Sequence, residues 1–131
     1  MPQDIAQYTE LFLSEAKQHL LAMNHAVLTL EKSPGKTACL SDLRRALHTL
    51  KSMAATMDYP CTVRLCHAME DVVDAIRKNT LKAAACTDVL FECLDALEAT
   101  LNELERGSSE LETTALVGRL QALATREARQ A

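Results

Sequence analysis

Leu43-Arg44-Arg45-Ala46-Leu47-His48-Thr49-Leu50-Lys51-Ser52-Met53-Ala54-Ala55-Thr56-Met57 is the stretch on which the fold turns. With Leu40 just ahead of it, Leu43, Leu47, Leu50, Ala54 and Met57 recur at spacings of three and four, which lines one stripe of an α-helix. Written as a heptad, Leu40, Leu47 and Ala54 take position a, and Leu43, Leu50 and Met57 take position d. His48 then falls at b, Arg44 and Lys51 at e, and Arg45 and Ser52 at f. The histidine therefore stands on the outer face of the helix, among cationic and small residues, and outside the core.

Working outward, the 131 residues suit one domain over 1–131, large enough to bury about two-thirds of its unfolded surface. Apolar residues make up 48% and charged residues 24%, the balance of an ordinary soluble globular protein. Three glycines, three prolines and no tryptophan, with abundant alanine and leucine, point to an all-helical chain. A net charge of −4 argues against nucleic-acid binding, which needs a basic face. No apolar run approaches the ~20 residues of a membrane span, and Met1-Pro2-Gln3-Asp4 does not open a signal peptide. Membrane insertion is not expected, and the cytoplasm is the expected compartment. Cys39, Cys61, Cys66, Cys86 and Cys93 are odd in number and contain no C-x-x-C, so a disulfide framework is not expected. Cys66 and Cys93 fall on apolar stripes, where cysteine acts as a small hydrophobe.

Taken in order, the first helix is expected from about Asp4, its N-cap, to Glu31, with Ile5, Tyr8, Phe12, Ala16, Leu20, Met23, Val27 and Leu30 on one stripe. Ser33-Pro34-Gly35 breaks it. The second helix runs from about Thr37 to Met57 and ends at Asp58-Tyr59-Pro60, because the residue before a proline avoids the helical region. The third, about Cys61 to Asn79, buries Leu65, Cys66, Met69, Val72, Val73 and Ile76 and turns His67, Glu70, Asp71 and Asp74 to its polar face. A fourth spans about Ala84 to Arg106 on Leu90, Leu94, Leu97, Leu101 and Leu104. After Gly107-Ser108, Ser109 and Glu112 have the spacing of a capping box for a fifth helix to about Arg126, carrying Leu116, Leu120 and Leu123. The polar tail from Arg126 is expected to fray. Together these elements predict an antiparallel up-down four-helix bundle over about 4–106, with a shorter fifth C-terminal helix over about 109–127 that packs on its end or side.

Of the four histidines, His19 and His25 have nothing suggestive around them, and His67 lies beside Glu70 on the third helix. By composition alone even His48 reads first as a solvated surface residue. Its setting supports a different reading, attack by a neutral imidazole on a phosphoryl group. A carboxylate accepting the proton of one ring nitrogen would fix the tautomer that leaves the other free, and Glu70, on the neighbouring antiparallel helix, is the candidate. Lys51, one turn from His48, would neutralise phosphoryl oxygens, and small residues at Ser52 and Ala55 would let a partner come close. The chain has no Gly-rich phosphate loop, and the His48 face has no carboxylate cluster for Mg²⁺, so a partner must bring both nucleotide and metal. A di-iron bundle would need Glu-x-x-His pairs aimed into the core. Here the order is reversed, His67-x-x-Glu70, and His48 points outward, so no metal site is assigned.

Arg45-Ala46-Leu47-His48-Thr49-Leu50-Lys51 followed by Leu65-Cys66-His67-Ala68-Met69-Glu70 resembles the histidine phosphotransfer (HPt) domains of CheA-type chemotaxis kinases. The resemblance covers about Ile5 to Leu104, including Phe12-Leu13-x-Glu15-Ala16 and Leu30-Glu31-x-x-Pro34. It implies that His48 is the phosphoacceptor through Nε2, that Glu70 orients its Nδ1, and that Lys51 and His67 complete the hydrogen-bonded group. Implied partners are a kinase catalytic domain, which supplies ATP and Mg²⁺, and a response-regulator receiver of the CheY or CheB kind, with its own Mg²⁺. The domain itself is expected to hold no cofactor, to be monomeric, and to dock partners through Arg44, Arg45, Ser52 and Ala55. The parent chain would be a histidine kinase. Where the family pattern has glycines this chain has Ser52, Ala55 and Asp58, which bears on partner choice more than on the reaction. Other carriers, a hybrid-sensor HPt domain or a free-standing shuttle, share much of the motif, and a helical interaction module without chemistry is the competing class.

Overall fold

A computed structural model gives the backbone of residues 2–130 and the side chains of residues 5–125. Five α-helices, α1 (Pro2–Lys32), α2 (Ala38–Thr56), α3 (Pro60–Arg77), α4 (Thr87–Glu105) and α5 (Thr114–Gln130), account for nearly all of it. Helices α1 to α4 form the bundle: α1 packs between α2 and α4, and α3 packs against α2. Helix α5 lies along α3 and touches α4, so the expected fifth helix docks on the bundle's side. No helix among the described residues is long and apolar enough to cross a membrane.

The heptad stripe of α2 is the core, with Leu40, Leu43, Leu47, Leu50 and Ala54 buried and Met57 partly so. Facing it are Phe12, Leu20, Met23, Val27 and Leu30 of α1, Leu65, Met69, Val72 and Val73 of α3, and Leu90, Leu94, Leu97 and Leu101 of α4. Cys66, Cys86 and Cys93 are all buried among them. Burial pushes the Cys66 and Cys93 thiols up to about 12, with the Glu70 carboxylate adding to the effect on Cys66. Both are packing residues held as neutral thiols.

Several boundaries differ from the periodicity, each for a physical reason. Helix α1 begins at Pro2, ahead of the expected Asp4 cap, whose side chain lies outside the described residues. Its stripe also outruns its partner. At 31 residues against 19 for α2, α1 is about 18 Å longer at 1.5 Å per residue. Ile5 and Tyr8 are accordingly exposed, lining with Met53 and Met57 an open apolar groove of about 540 Å³. The fourth helix starts only at Thr87, because a separate 3-10 turn at Ala83–Ala85 precedes it. Helix α5 starts at Thr114, not Ser109. Glu112 caps that start by accepting from the Thr114 N–H (2.8 Å), and α5 continues to Gln130, with side chains from Arg126 outside the described residues.

Glu110, in the connection before α5, is committed elsewhere. It accepts the backbone N–H of Cys61 and of Thr62, both at 2.8 Å, and the Thr62 hydroxyl at 2.7 Å. These are the first free N–H groups of α3, whose N1 residue is Pro60 and whose own N-cap, Tyr59, makes no side-chain cap. A carboxylate from 48 residues away serves as the cap and meets the positive end of the helix dipole. Asp58 adopts φ +61° at the end of α2, the left-handed conformation expected where the family pattern has glycine.

Candidate functional site

Helices α2 and α3 run antiparallel and side by side, so α2 positions 44, 48 and 51 meet α3 positions 74 and 70. His48 projects outward, its side chain 59% exposed, whereas Glu70 is 3% exposed. A solvated imidazole thus stands over a buried carboxylate. Glu70 Oε2 lies 3.6 Å from His48 Nδ1, just beyond hydrogen-bond length, a separation that often tightens only when charge develops in a reacting complex. Lys51 Nζ is 2.8 Å from Glu70 Oε1. Its approach is off the hydrogen-bonding direction, so Oε1 is met by a positive charge without a directed donor. Arg44 Nη2 is 3.5 Å from Oε2, and its Nε donates to Asp74 Oδ1 at 2.7 Å. A hydrogen bond from that same Nε to Asp74 raises the already high guanidinium pKa.

The arrangement is electrostatically coherent. Burying an isolated carboxylate is costly, and two cations on separate oxygens offset that cost. Glu70 faces Nδ1 of the ring, and not Nε2.

The sequence-predicted residues are placed unequally. His48, Lys51 and Glu70 are brought together. Glu70 leaves the polar face on which periodicity put it and enters the α2–α3 seam. His67 is not in the group: its side chain is 64% exposed and its Nε2 sits 4.0 Å from Asp71 on the outer face of α3. Arg45, Ser52 and Ala55 are exposed, Arg45 lying 3.8 Å from Asp42. Arg44 is half-buried and turned inward to Asp74 and Glu70, since both carboxylates lie across the seam from it. The Arg44–Asp74 pair is the part that sequence reasoning missed. Its signal was there: Arg44 precedes His48 by one turn and Asp74 follows Glu70 by one turn, which matches across antiparallel helices.

Ser41, Arg44, Arg45, Thr49 and Arg77 border, together with His48 itself, an open basin of about 360 Å³. One and two turns after His48, Ser52, Ala55 and Thr56 form a small-residue track down to the apolar groove of Met53 and Met57.

This architecture has known counterparts. The family model of the Hpt domain matches residues 7–129. Chemotaxis protein CheA of Bacillus subtilis is 41% identical over 105 residues, which is 79% of this chain but 16% of that protein. The solution structure of the histidine phosphotransfer domain of CheA is similar at a TM-score of 0.80 and 28% identity, covering 88% of this chain and 90% of that one. The phosphorylated P1 domain of CheA3 from R. sphaeroides, solved in complex with CheY6, has the same fold at a TM-score of 0.83 and 23% identity, covering 92% and 97%. With the bundle, an exposed histidine over a buried carboxylate and a family match along almost its whole length, the chain belongs to the Hpt domain family.

Proposed function

We propose that His48 accepts a phosphoryl group from ATP bound to a CheA-type kinase catalytic domain and hands it to an aspartate of a CheY- or CheB-like receiver. The observation that carries this is the buried Glu70 carboxylate facing Nδ1 of an exposed imidazole, with Lys51 and Arg44 balancing its charge. In the forward step the Nε2 lone pair forms the N–P bond as the bond from the γ-phosphorus to its bridging oxygen breaks and ADP leaves. The Nδ1 proton stays in place, and the positive charge that grows on the ring is met by Glu70. Lys51, 23% exposed at its side chain, lies one turn from His48 and can turn toward the incoming phosphoryl oxygens.

In the second step a receiver aspartate attacks phosphorus, the N–P bond breaks, and neutral imidazole is restored. ATP and its Mg²⁺ belong to the kinase domain and the second Mg²⁺ to the receiver. Ser52 and Ala55, with the apolar groove beyond them, give the partner a close and partly apolar landing surface. Cytoplasmic placement follows from such partners. A bundle that had lost the chemistry would be expected to lose His48 or Lys51, and this one keeps both beside Glu70.

Incubation with radiolabelled ATP and a CheA catalytic fragment tests the reading. Label that appears on wild type, is absent from His48→Gln, and is lost in acid but kept in base is the expected result. Equal labelling of His48→Gln, or no label on wild type from active kinase fragments, would refute it.

A further inference from the structure

We infer that Arg44 is a positioning residue for the phosphoryl-accepting histidine, sharing Glu70 Oε2 with His48 and thereby setting the pH range in which His48 is a nucleophile. The inference rests on the phosphoacceptor reading above. One carboxylate oxygen has two neighbours at nearly equal range, Arg44 Nη2 at 3.5 Å and His48 Nδ1 at 3.6 Å. Lys51 instead occupies Oε1. Arg44 is thus the cation that competes directly with the imidazole for Glu70.

It is also held there. Its Nε donates to Asp74 at 2.7 Å, and Arg77 Nη1, 3.8 Å from the same Asp74 oxygen, steadies that carboxylate in turn. A guanidinium keeps its charge at every working pH, so this competition does not switch off.

The need for such a residue follows from the chemistry. A nucleophilic imidazole must be oriented by a carboxylate yet not become a doubly protonated, inert imidazolium. A buried carboxylate with His48 as its main partner would favour the imidazolium. Two flanking cations draw off that negative charge, and Arg44 does so at the oxygen His48 faces. The charged groups around the ring are Arg44, Arg45 and Lys51 from α2, with Glu70, Asp71, Asp74 and Arg77 from α3, while Cys66 is a neutral thiol beneath them. Among the described residues, α1, α4 and α5 place no ion pair on Glu70 or His48.

The test compares wild type with Arg44→Gln, Arg44→Met and Arg44→Lys, the first two keeping part of the aliphatic stem and the helix propensity without the charge. Thermal melting checks that each folds. NMR titration of the histidine rings reads the protonation of His48 directly, and the labelling rate is followed across pH. The two contacts laid end to end put the guanidinium at most about 7 Å from the ring, where one charge through a largely aqueous path shifts titration by about half a pH unit. Both neutral variants should raise the His48 midpoint by that order and move the acid limb of the labelling profile up equally, whatever the height of the alkaline plateau. Arg44→Lys should restore most of the shift. An unmoved His48 midpoint in a folded neutral variant, an equal shift at His19 and His25, or the same shift in Arg44→Lys would overturn the assignment. Should wild type accept no label, the phosphoacceptor reading fails on its own, and the ring titration still decides whether Arg44 acts on His48.

Discussion

Lys51 and Glu70 form the closest contact of the site, and the two sides of it are predicted to respond unequally to mutation. At 2.8 Å the attraction is about 6 kcal/mol at an effective dielectric of about 20, and the Arg44 contact at 3.5 Å is about 5 kcal/mol. Lys51→Ala leaves Glu70, 3% exposed, with Arg44 and His48 alone. Removing one partner of a fully buried pair costs about 3–5 kcal/mol. Because Lys51 is 23% exposed, water replaces part of its role, and a loss of about 2 kcal/mol is expected. Glu70→Gln removes the buried charge itself. The cations it leaves are 23% and 36% exposed and can reach solvent, so the cost should stay below about 1 kcal/mol. Urea unfolding at neutral pH, followed by far-UV circular dichroism with the slope held constant, measures both. Function should rank the other way: labelling of Glu70→Gln should be slow in spite of its stability, because the charge growing on the ring loses its anionic partner at Nδ1. Glu70→Gln losing as much stability as Lys51→Ala, or Lys51→Ala staying within 0.5 kcal/mol of wild type at about the error of such measurements, would refute this account of the seam.

Other consequences follow from elements outside the site. Glu110→Ala should cost about 2–3 kcal/mol, since it strips the α3 N-terminus of a charged cap and leaves three donors unmet; amide exchange should quicken at Cys61 and Thr62 and along α5, and unchanged protection there would contradict the capping role. The buried Cys66 and Cys93 thiols set an alkaline limit. Their folded values, about 12, stand above the unfolded value of 9.0, so their contribution is fully present below pH 9 and is lost as the unfolded thiols ionise between about 9 and 12. A Cys66→Ala, Cys93→Ala double variant should flatten stability against pH over that window, and an equally steep fall would show that other groups cause it.

How much of this was legible in the chain divides along one physical line. What a helix buries is written in its own periodicity, so Leu40, Leu43, Leu47, Leu50 and the Leu90–Leu104 series gave the bundle, and the outward position of His48 followed from the same wheel. How two helices are rotated against each other is not written in either one. Glu70 reads as polar-face in α3 alone, beside His67 and Asp71, and only the α2–α3 seam turns it inward to Lys51 and leaves His67 outside with Asp71. The imidazole's need for a carboxylate partner and the resemblance to phosphotransfer domains supplied the pairing of His48 with Glu70 that periodicity lacked, but the resemblance also grouped His67 with them. Arg44 reads as a free surface cation until its partner on the next helix is known. Least legible was Glu110, a cap whose helix lies 48 residues earlier: the local pattern saw Ser109 and Glu112 as the start of α5 and had no means of seeing α3.

The central claim is that Glu70 holds Nδ1 and leaves Nε2 of His48 to carry phosphorus. With ¹⁵N-labelled histidine, the phosphorylated domain can be examined by NMR for coupling between ³¹P and each ring nitrogen. Coupling to Nε2 of His48, with Nδ1 protonated, is the result predicted here. Coupling to Nδ1, or phosphorus on His19, His25 or His67, would contradict it.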